Sequence, residues 1–288
     1  MPSGAAPVFP RVAIAGCGLI GGSLALAVRR RWPASQVIGI DRREVVAEAL
    51  RVEAITGGGD DLADADGADL IVLAAPVKQN LDLLRRLPDV VSARALVTDV
   101  GSTKVTTTEA ARALPGRLRF IGGHPLAGAA IGGIEAARAD LFDGRTWLLA
   151  ADGPPDDDLR RLEAFVSGVG AAPRRIGAAE HDRLLADVSH LPQITASALM
   201  HVVGRRVGEA GLALAGRGLR DSTRLAASPP DIWRDVAATN HRAVSAALDD
   251  LIAVLQSIRD NLEDGAALEQ VFESAGRWKR VLDSEQPE

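Results

Sequence analysis

RVAIAGCGLIGGSLALAVRRR, residues 11–31, decides how this chain is read. Residues 11–16 form a short apolar run ending in glycine, which predicts a buried strand. GLIGGSLALAVRRR then repeats its apolar residues at helical spacing. Between the two, GCGLIG (16–21) has the G-x-G-x-x-G pattern. That pattern is a weak signal alone and gains meaning when it joins a strand to a helix, as it does here. Gly16 permits the tight turn, Gly18 lets the backbone approach a pyrophosphate, and Gly21 lets the helix pack close to the sheet. Leu19 and Ile20 complete the loop that would hold the phosphates at the helix N-terminus, where free N–H groups favour an anion.

Further along, VIGID (37–41), ADLIVLAAP (68–76), ALVTDVGS (95–102), RFIGGHP (119–125), TWLLAA (146–151) and PRRIG (173–177) read as six more strands with helical patterns between most of them. Short apolar strands alternating with helices predict a parallel sheet covered on both faces. The acidic GPPDDD (153–158) is expected to be a turn and helix start within this domain. From Ala178 onward only helical periodicity remains, including a run over 231–262 read as one long helix that needs a second subunit to bury it. The predicted organisation is a dinucleotide-binding domain over 8–177 and a helical substrate and dimerisation domain over 178–288. The fold class is α/β, a Rossmann-type doubly wound parallel sheet followed by an all-helical domain.

Composition narrows the function. The 288 residues suit two domains, and 47 % hydrophobic with 25 % charged residues is ordinary for a globular protein. Net charge is −5 and no Lys/Arg stripe occurs, which argues against nucleic acid. The single cysteine, Cys17, excludes an internal disulfide and fits a reducing compartment. No stretch matches a membrane span, and residues 1–10 lack the pattern of a signal peptide. The expectation is a cytoplasmic enzyme without a membrane partner, and with no metal-spaced Cys/His set, no metal.

Asp41 ends the second strand, 20 residues after Gly21. A carboxylate there accepts from ribose hydroxyls and repels a 2′-phosphate, so NAD is the expected cofactor; Arg42 and Arg43 keep NADP open. Ala75 and Pro76, at the end of the third strand, are small enough for a cofactor to pass, and Gly101 belongs to the same set. In a doubly wound sheet the ligand lies beyond the carboxyl ends of the strands. Two such ends carry chemistry: TDVGSTK (98–104) offers Ser102 and Lys104, and GGHP (122–125) offers His124. His124 is read as lying on a strand-end loop, with glycines that leave room for another molecule. Its imidazole can take a hydroxyl proton while hydride leaves the same carbon. In the helical half, GLRDSTRLAASPPDIWRD (218–235) places Arg224 in a Ser/Thr-rich, proline-broken stretch suited to a carboxylate clamp.

Together GCGLIGGSL (16–24), TDVGSTK, GGHPLAG (122–128), EHDRLLADVSHLPQ (180–193) and LRDSTRLAASPPDIWRD (219–235) resemble the prephenate/arogenate dehydrogenase family of tyrosine biosynthesis. The motifs span both halves in family order. The resemblance implies a homodimer, His124 as catalytic residue, Ser102 contacting substrate hydroxyl and nicotinamide, and Arg224 on the ring carboxylate. It further implies that NAD takes hydride from the hydroxyl-bearing ring carbon while the opposite carboxylate leaves as carbon dioxide. Gln193 stands where many prephenate-using members have histidine, and Ala129 and Ala130 where many have polar residues, so prephenate is the first expectation and arogenate the alternative. Gln193 and Trp233 complete the expected substrate-binding set. His181 and His190 are read as helix residues. A 3-hydroxyacid dehydrogenase is disfavoured, because the lysines at 78, 104 and 279 lie in no suitable glycine-rich helix. The other rival is a catalytically silent nucleotide sensor, which has no use for His124, Ser102 and Arg224 together.

Overall fold

The computed structural model describes residues 6–128 and 132–284. Ala129 and Ala130 lie outside the described residues. Strands β1 (Arg11–Ala15), β2 (Gln36–Ile40), β3 (Gly57–Gly59), β4 (Leu70–Leu73), β5 (Ala95–Asp99), β6 (Leu118–Pro125), β7 (Thr146–Ala150) and β8 (Ala172–Ile176) form one sheet in the order β3-β2-β1-β4-β5-β6-β7-β8. Helices α1 (Leu19–Arg31), α2 (Arg43–Arg51), α3 (Val77–Val90), α4 (Val105–Ala111) and α5 (Asp157–Gly168) join them. The helical part comprises α6 (Ala178–Leu185), one π-helical turn (Ala186–His190), α7 (Leu191–Leu212), α8 (Arg217–Ser222), a 3₁₀ turn (Arg224–Ala227), α9 (Pro230–Thr239), α10 (His241–Asp260) and α11 (Ala266–Ser284).

The sheet is Rossmann-like because both faces are covered. On β1, Val12 and Ile14 pack with Leu24 and Val28 of α1, while Ala13 and Ala15 pack with Leu84 and Leu87 of α3. Successive residues of a strand point to opposite faces, so a strand buried on both reads as an unbroken apolar run. Each fully buried Leu or Ile there contributes about 1.5–3 kcal/mol. α5 starts where the acidic turn was expected, with Asp156 accepting from the Leu159 N–H at 2.8 Å.

Four expectations need correction. The sheet has an eighth strand, β3, whose GGG sequence carries no side chains to show a pattern. It is not wholly parallel, since β6 and β7 pair antiparallel, Gly122 opposite Ala150 through Pro125 opposite Trp147. That pairing makes His124 a strand residue rather than a loop residue. The run over 231–262 is two helices and not one, broken at Asn240 (φ −127°, ψ 30°), whose side chain donates to Asp182 O at 2.7 Å.

One compact unit runs to His241 and a second begins at Arg242, whereas the change from strands to helices falls between β8 and α6. In the second unit, Leu268, Phe272, Trp278 and Leu282 of α11 are exposed and share one face at helical spacing.

Candidate active site

β1, β4, β5 and β6 end on the same side of the sheet, and the strand order reverses between β1 and β4. That reversal leaves a crevice for ligand. A cavity of about 530 Å³ opens there, lined by Gly18, Leu19 and Ile20 of the glycine loop, by Ala74, Ala75 and Pro76 after β4, and by Gly101, Ser102 and His124. Pro229, Ile232 and Asp235 of the helical part close its far wall.

The glycine loop has the shape a pyrophosphate requires. Gly16 has φ +101°, and a Cβ there would lie 2.6 Å from the Ala74 carbonyl carbon. A Cβ on Gly21 would sit 1.8 Å from Gly16 O, so only glycine lets α1 approach. At Gly18 a Cβ would meet nothing within 4 Å: it would project into open space. α1 has no side-chain cap and no acid in its first turn, so its N-terminal N–H groups remain available to an anion. Asp41 Oδ2 accepts from Cys17 N at 2.7 Å, which holds the carboxylate against the loop. Cys17 is buried, and burial first, then Asp41, pushes its thiol up to about 12, so it stays protonated filler. Arg42 pairs with Glu44 at 3.1 Å and Arg43 with Asp60 at 2.8 Å, all on the surface.

His124 sits in a buried polar cluster. Its Nδ1 lies 2.9 Å from His181 Nε2, and His181 Nδ1 lies 2.8 Å from Asp182 Oδ1. A carboxylate accepts, so His181 Nδ1 carries hydrogen, His181 Nε2 accepts, and His124 Nδ1–H donates. This leaves the lone pair of His124 on Nε2. Burial, with His181, Lys104 and His190 nearby, holds His124 well below the ordinary imidazole value. His190 is lowered to about 4, chiefly by burial, and meets the Trp233 ring edge-on at 6.0 Å.

Lys104 is fully buried. Its ammonium contacts Asp99 and donates to Gly123 O at 2.7 Å. Burial lowers its pKa and the Asp99 charge opposes that shift. Asp99 also accepts from Gly101 N at 3.1 Å and Gly123 N at 3.0 Å. The glycines before His124 therefore make room for this pair rather than for a ligand. A Cβ on Gly123 would lie 2.5 Å from Asp99 O, and one on Gly122 would lie 3.1 Å from Lys104 Cδ.

Three expected substrate residues lie elsewhere. Gln193 is buried and occupied: it donates to Leu225 O at 2.7 Å and accepts from Ser228 Oγ at 3.1 Å. It holds the 3₁₀ turn and is not part of the cavity wall. Arg224 opens that turn, exposed and away from the cavity. Trp233 packs on His190, while its neighbours Ile232 and Asp235 reach the cavity. Sequence reasoning missed His181 as the partner of His124. An adjacent His-Asp pair at a helix start was the available signal. It also missed Asp235, which lines the cavity and pairs with Lys78 of α3 at 3.2 Å. Among the described residues no His, Cys, Asp and Glu cluster could hold a metal ion, and no helix is long and apolar enough to cross a membrane.

Comparison with known proteins identifies the family. Residues 24–173 match the nucleotide-binding domain of prephenate dehydrogenase, and residues 177–274 match its dimerization domain. The chain is 33 % identical to a prephenate dehydrogenase of Bacillus subtilis over 94 % of its own length and 76 % of the relative's. It is 30 % identical to a cyclohexadienyl dehydrogenase of Zymomonas mobilis over 96 % and 97 %. A crystal structure of prephenate dehydrogenase from A. aeolicus with hydroxyphenyl propionate and NAD+ superposes with TM-score 0.86 at 28 % identity, covering 94 % of this chain and 98 % of that one. With both domain models matched in order across most of its length, the chain belongs to the prephenate dehydrogenase family.

Proposed function

We propose that this protein is an NAD-dependent oxidoreductase that converts prephenate to 4-hydroxyphenylpyruvate with loss of carbon dioxide. One observation carries the reading: His124 lines the cavity beside the glycine loop, with Nδ1 engaged by His181 and Nε2 left as the basic nitrogen. The open space at Gly18, the uncapped start of α1 and the Asp41 carboxylate fit a dinucleotide. The relative crystallised with NAD+ supports that cofactor. When bound, NAD supplies the hydride acceptor. His124 Nε2 takes the proton of the ring hydroxyl as the C–H electron pair leaves. Loss of the ring carboxylate as carbon dioxide returns an electron pair to the ring, and His124 gives the proton back to the same oxygen. Ser102, on the cavity wall, orients that hydroxyl.

Arogenate is a second substrate reading, favoured by Asp235, a carboxylate on the cavity wall that an ammonium would meet. Lys78 already neutralises much of that charge, which leaves prephenate first. Another solved structure, an arogenate dehydrogenase of Synechocystis, has TM-score 0.78 at 29 % identity, covering 94 % of this chain and 99 % of that one. Arg224 is not on the wall of its own chain's cavity, so its ring-carboxylate role is assigned to the site of a second copy. The dimerization-domain match and the exposed apolar face of α11 support such a dimer. The test is NADH or NADPH production by the purified protein with prephenate and arogenate in parallel. Turnover of prephenate with NAD is expected, and absence of turnover with either substrate would overturn the reading.

A further inference from the structure

We propose that Asp182 is a positioning residue that locks His124 against the loop carrying Ser102, acting through His181. The proposal rests on His124 being the base of the reaction above. Its ground is one buried carboxylate with three donors from two different parts of the fold. Asp182 Oδ1 accepts from His181 Nδ1 at 2.8 Å and from Lys104 N at 2.7 Å, and Oδ2 accepts from Val105 N at 2.9 Å. The last two are backbone groups at the start of α4, directly after Ser102 and Thr103. A helix start leaves its N–H groups without intrahelical partners, and a carboxylate satisfies them. Asp182 therefore fixes the loop that ends at α4 with one hand and His181 with the other.

The hydrogen bonds close into a ring. From Asp182 the path runs through His181 to His124. The strand preceding His124 presents Gly123, whose N–H donates to Asp99 and whose carbonyl accepts from Lys104 Nζ. The backbone N–H of Lys104 returns to Asp182. The side chains linking this ring besides His124 are buried: Asp99, Lys104, His181 and Asp182 are each at most 3 % exposed. In such a closed ring, moving the Ser102 loop relative to His124 breaks a buried hydrogen bond, which costs more than it would in water. Asn240 completes the anchoring by donating to the backbone carbonyl of Asp182 at 2.7 Å, so the break between α9 and α10 also holds this residue's backbone.

The electrostatic consequence has a definite sign. His124 faces His181 of α6, His190 of the π turn and Lys104 before α4, all of which disfavour a positive imidazole. Asp182 is the anion that reaches it, through His181, while Asp99 is engaged by Lys104. Asp182 therefore offsets the charge that appears on His124 when it takes the substrate proton.

Asp182→Asn keeps an oxygen for His181 and removes the negative charge. The expected result is a fall in kcat of about tenfold or more, KM for NAD and prephenate within about threefold, and an acid limb of kcat moved to lower pH by about half a unit or more. His181→Gln keeps an acceptor for His124 Nδ1 and disconnects Asp182, so kcat should fall by a similar factor with KM little changed. The double variant should be about as slow as the slower single one, because both act on one path. Additive losses, or an unmoved limb in folded Asp182→Asn, would overturn the proposal. A merely structural carboxylate would lower stability and leave the limb in place. Should Asp182→Asn fail to fold, His181→Gln decides alone: a kcat lower by about tenfold with KM for NAD and prephenate within about threefold supports the proposal, and a wild-type kcat overturns it. The two readings separate cleanly. An active His124→Asn removes the base itself, while an inactive His124→Asn beside an Asp182→Asn with wild-type kcat and limb removes only the positioning role.

Discussion

His124 and His181 stand 57 residues apart in sequence, yet their rings lie 5.1 Å centroid to centroid, with Nδ1 of one 2.9 Å from Nε2 of the other. This contact sets the tautomer of His124 and puts its basic nitrogen where a substrate hydroxyl can reach it. His124→Asn should lower kcat by roughly 10²–10⁴-fold, the range for loss of a general base, with substrate affinity little changed. The base must be neutral to act. Because burial, with His181, Lys104 and His190 nearby, holds its pKa well below 6.5, kcat should stay flat as pH falls through 6.5 and drop only further down. A limb at or above pH 6.5, or a variant within threefold of wild type, would remove His124 from the role.

The buried Lys104–Asp99 pair makes a prediction about stability. Lys104→Met removes the counter-ion of the buried Asp99 carboxylate and should cost about 3–5 kcal/mol in denaturant unfolding. Adding Asp99→Asn should recover part of that loss, since the uncompensated charge is gone. If the double variant is no more stable than Lys104→Met alone, desolvated charge is not the source of the cost.

Gln193 ties α7 to the turn that carries Arg224, through Leu225 O and Ser228 Oγ. Gln193→Ala removes the two hydrogen bonds that tie Leu225 O and Ser228 Oγ to α7 and should destabilise the protein by about 1–3 kcal/mol. It should raise KM for prephenate and arogenate by similar factors, because the turn and not the substrate side chain is disturbed. A selective change in the ratio of kcat/KM for the two substrates would place Gln193 in contact with the side chain after all.

Arg224 lies off the cavity of its own chain, so its proposed role calls for a mixed-dimer test. His124→Asn and Arg224→Ala, each weak alone, are mixed and allowed to exchange subunits. In a symmetric dimer with the site shared across the interface, half of the dimers are mixed and one of their two sites has both native residues. About a quarter of wild-type activity should return. No recovery after demonstrated exchange would place Arg224 in its own chain's site or on the free surface.

The pattern 11–31 was enough for the fold of the first half, because strand and helix periodicities are local properties of a chain. A strand buried on both faces must be apolar throughout, a phosphate loop must be glycine where a Cβ would collide, and these demands are written within a few residues of each other. The glycine loop at 16–21 and the positions of Gly18 and Ser102 on one cavity wall follow from the alternation of strands and helices. The tertiary structure alone decided the rest. It joined His124 to His181, Asp182 to the start of α4, and Lys104 to Asp99 beneath two glycines whose purpose looked different in sequence. It also withdrew Gln193 from the cavity and broke the last long helical run at Asn240. Each of these is a hydrogen bond or ion pair between groups whose only local trace is their residue type. Whether such a group binds a ligand or satisfies a buried neighbour depends on what the fold brings within 3 Å of it, and periodicity carries no record of that.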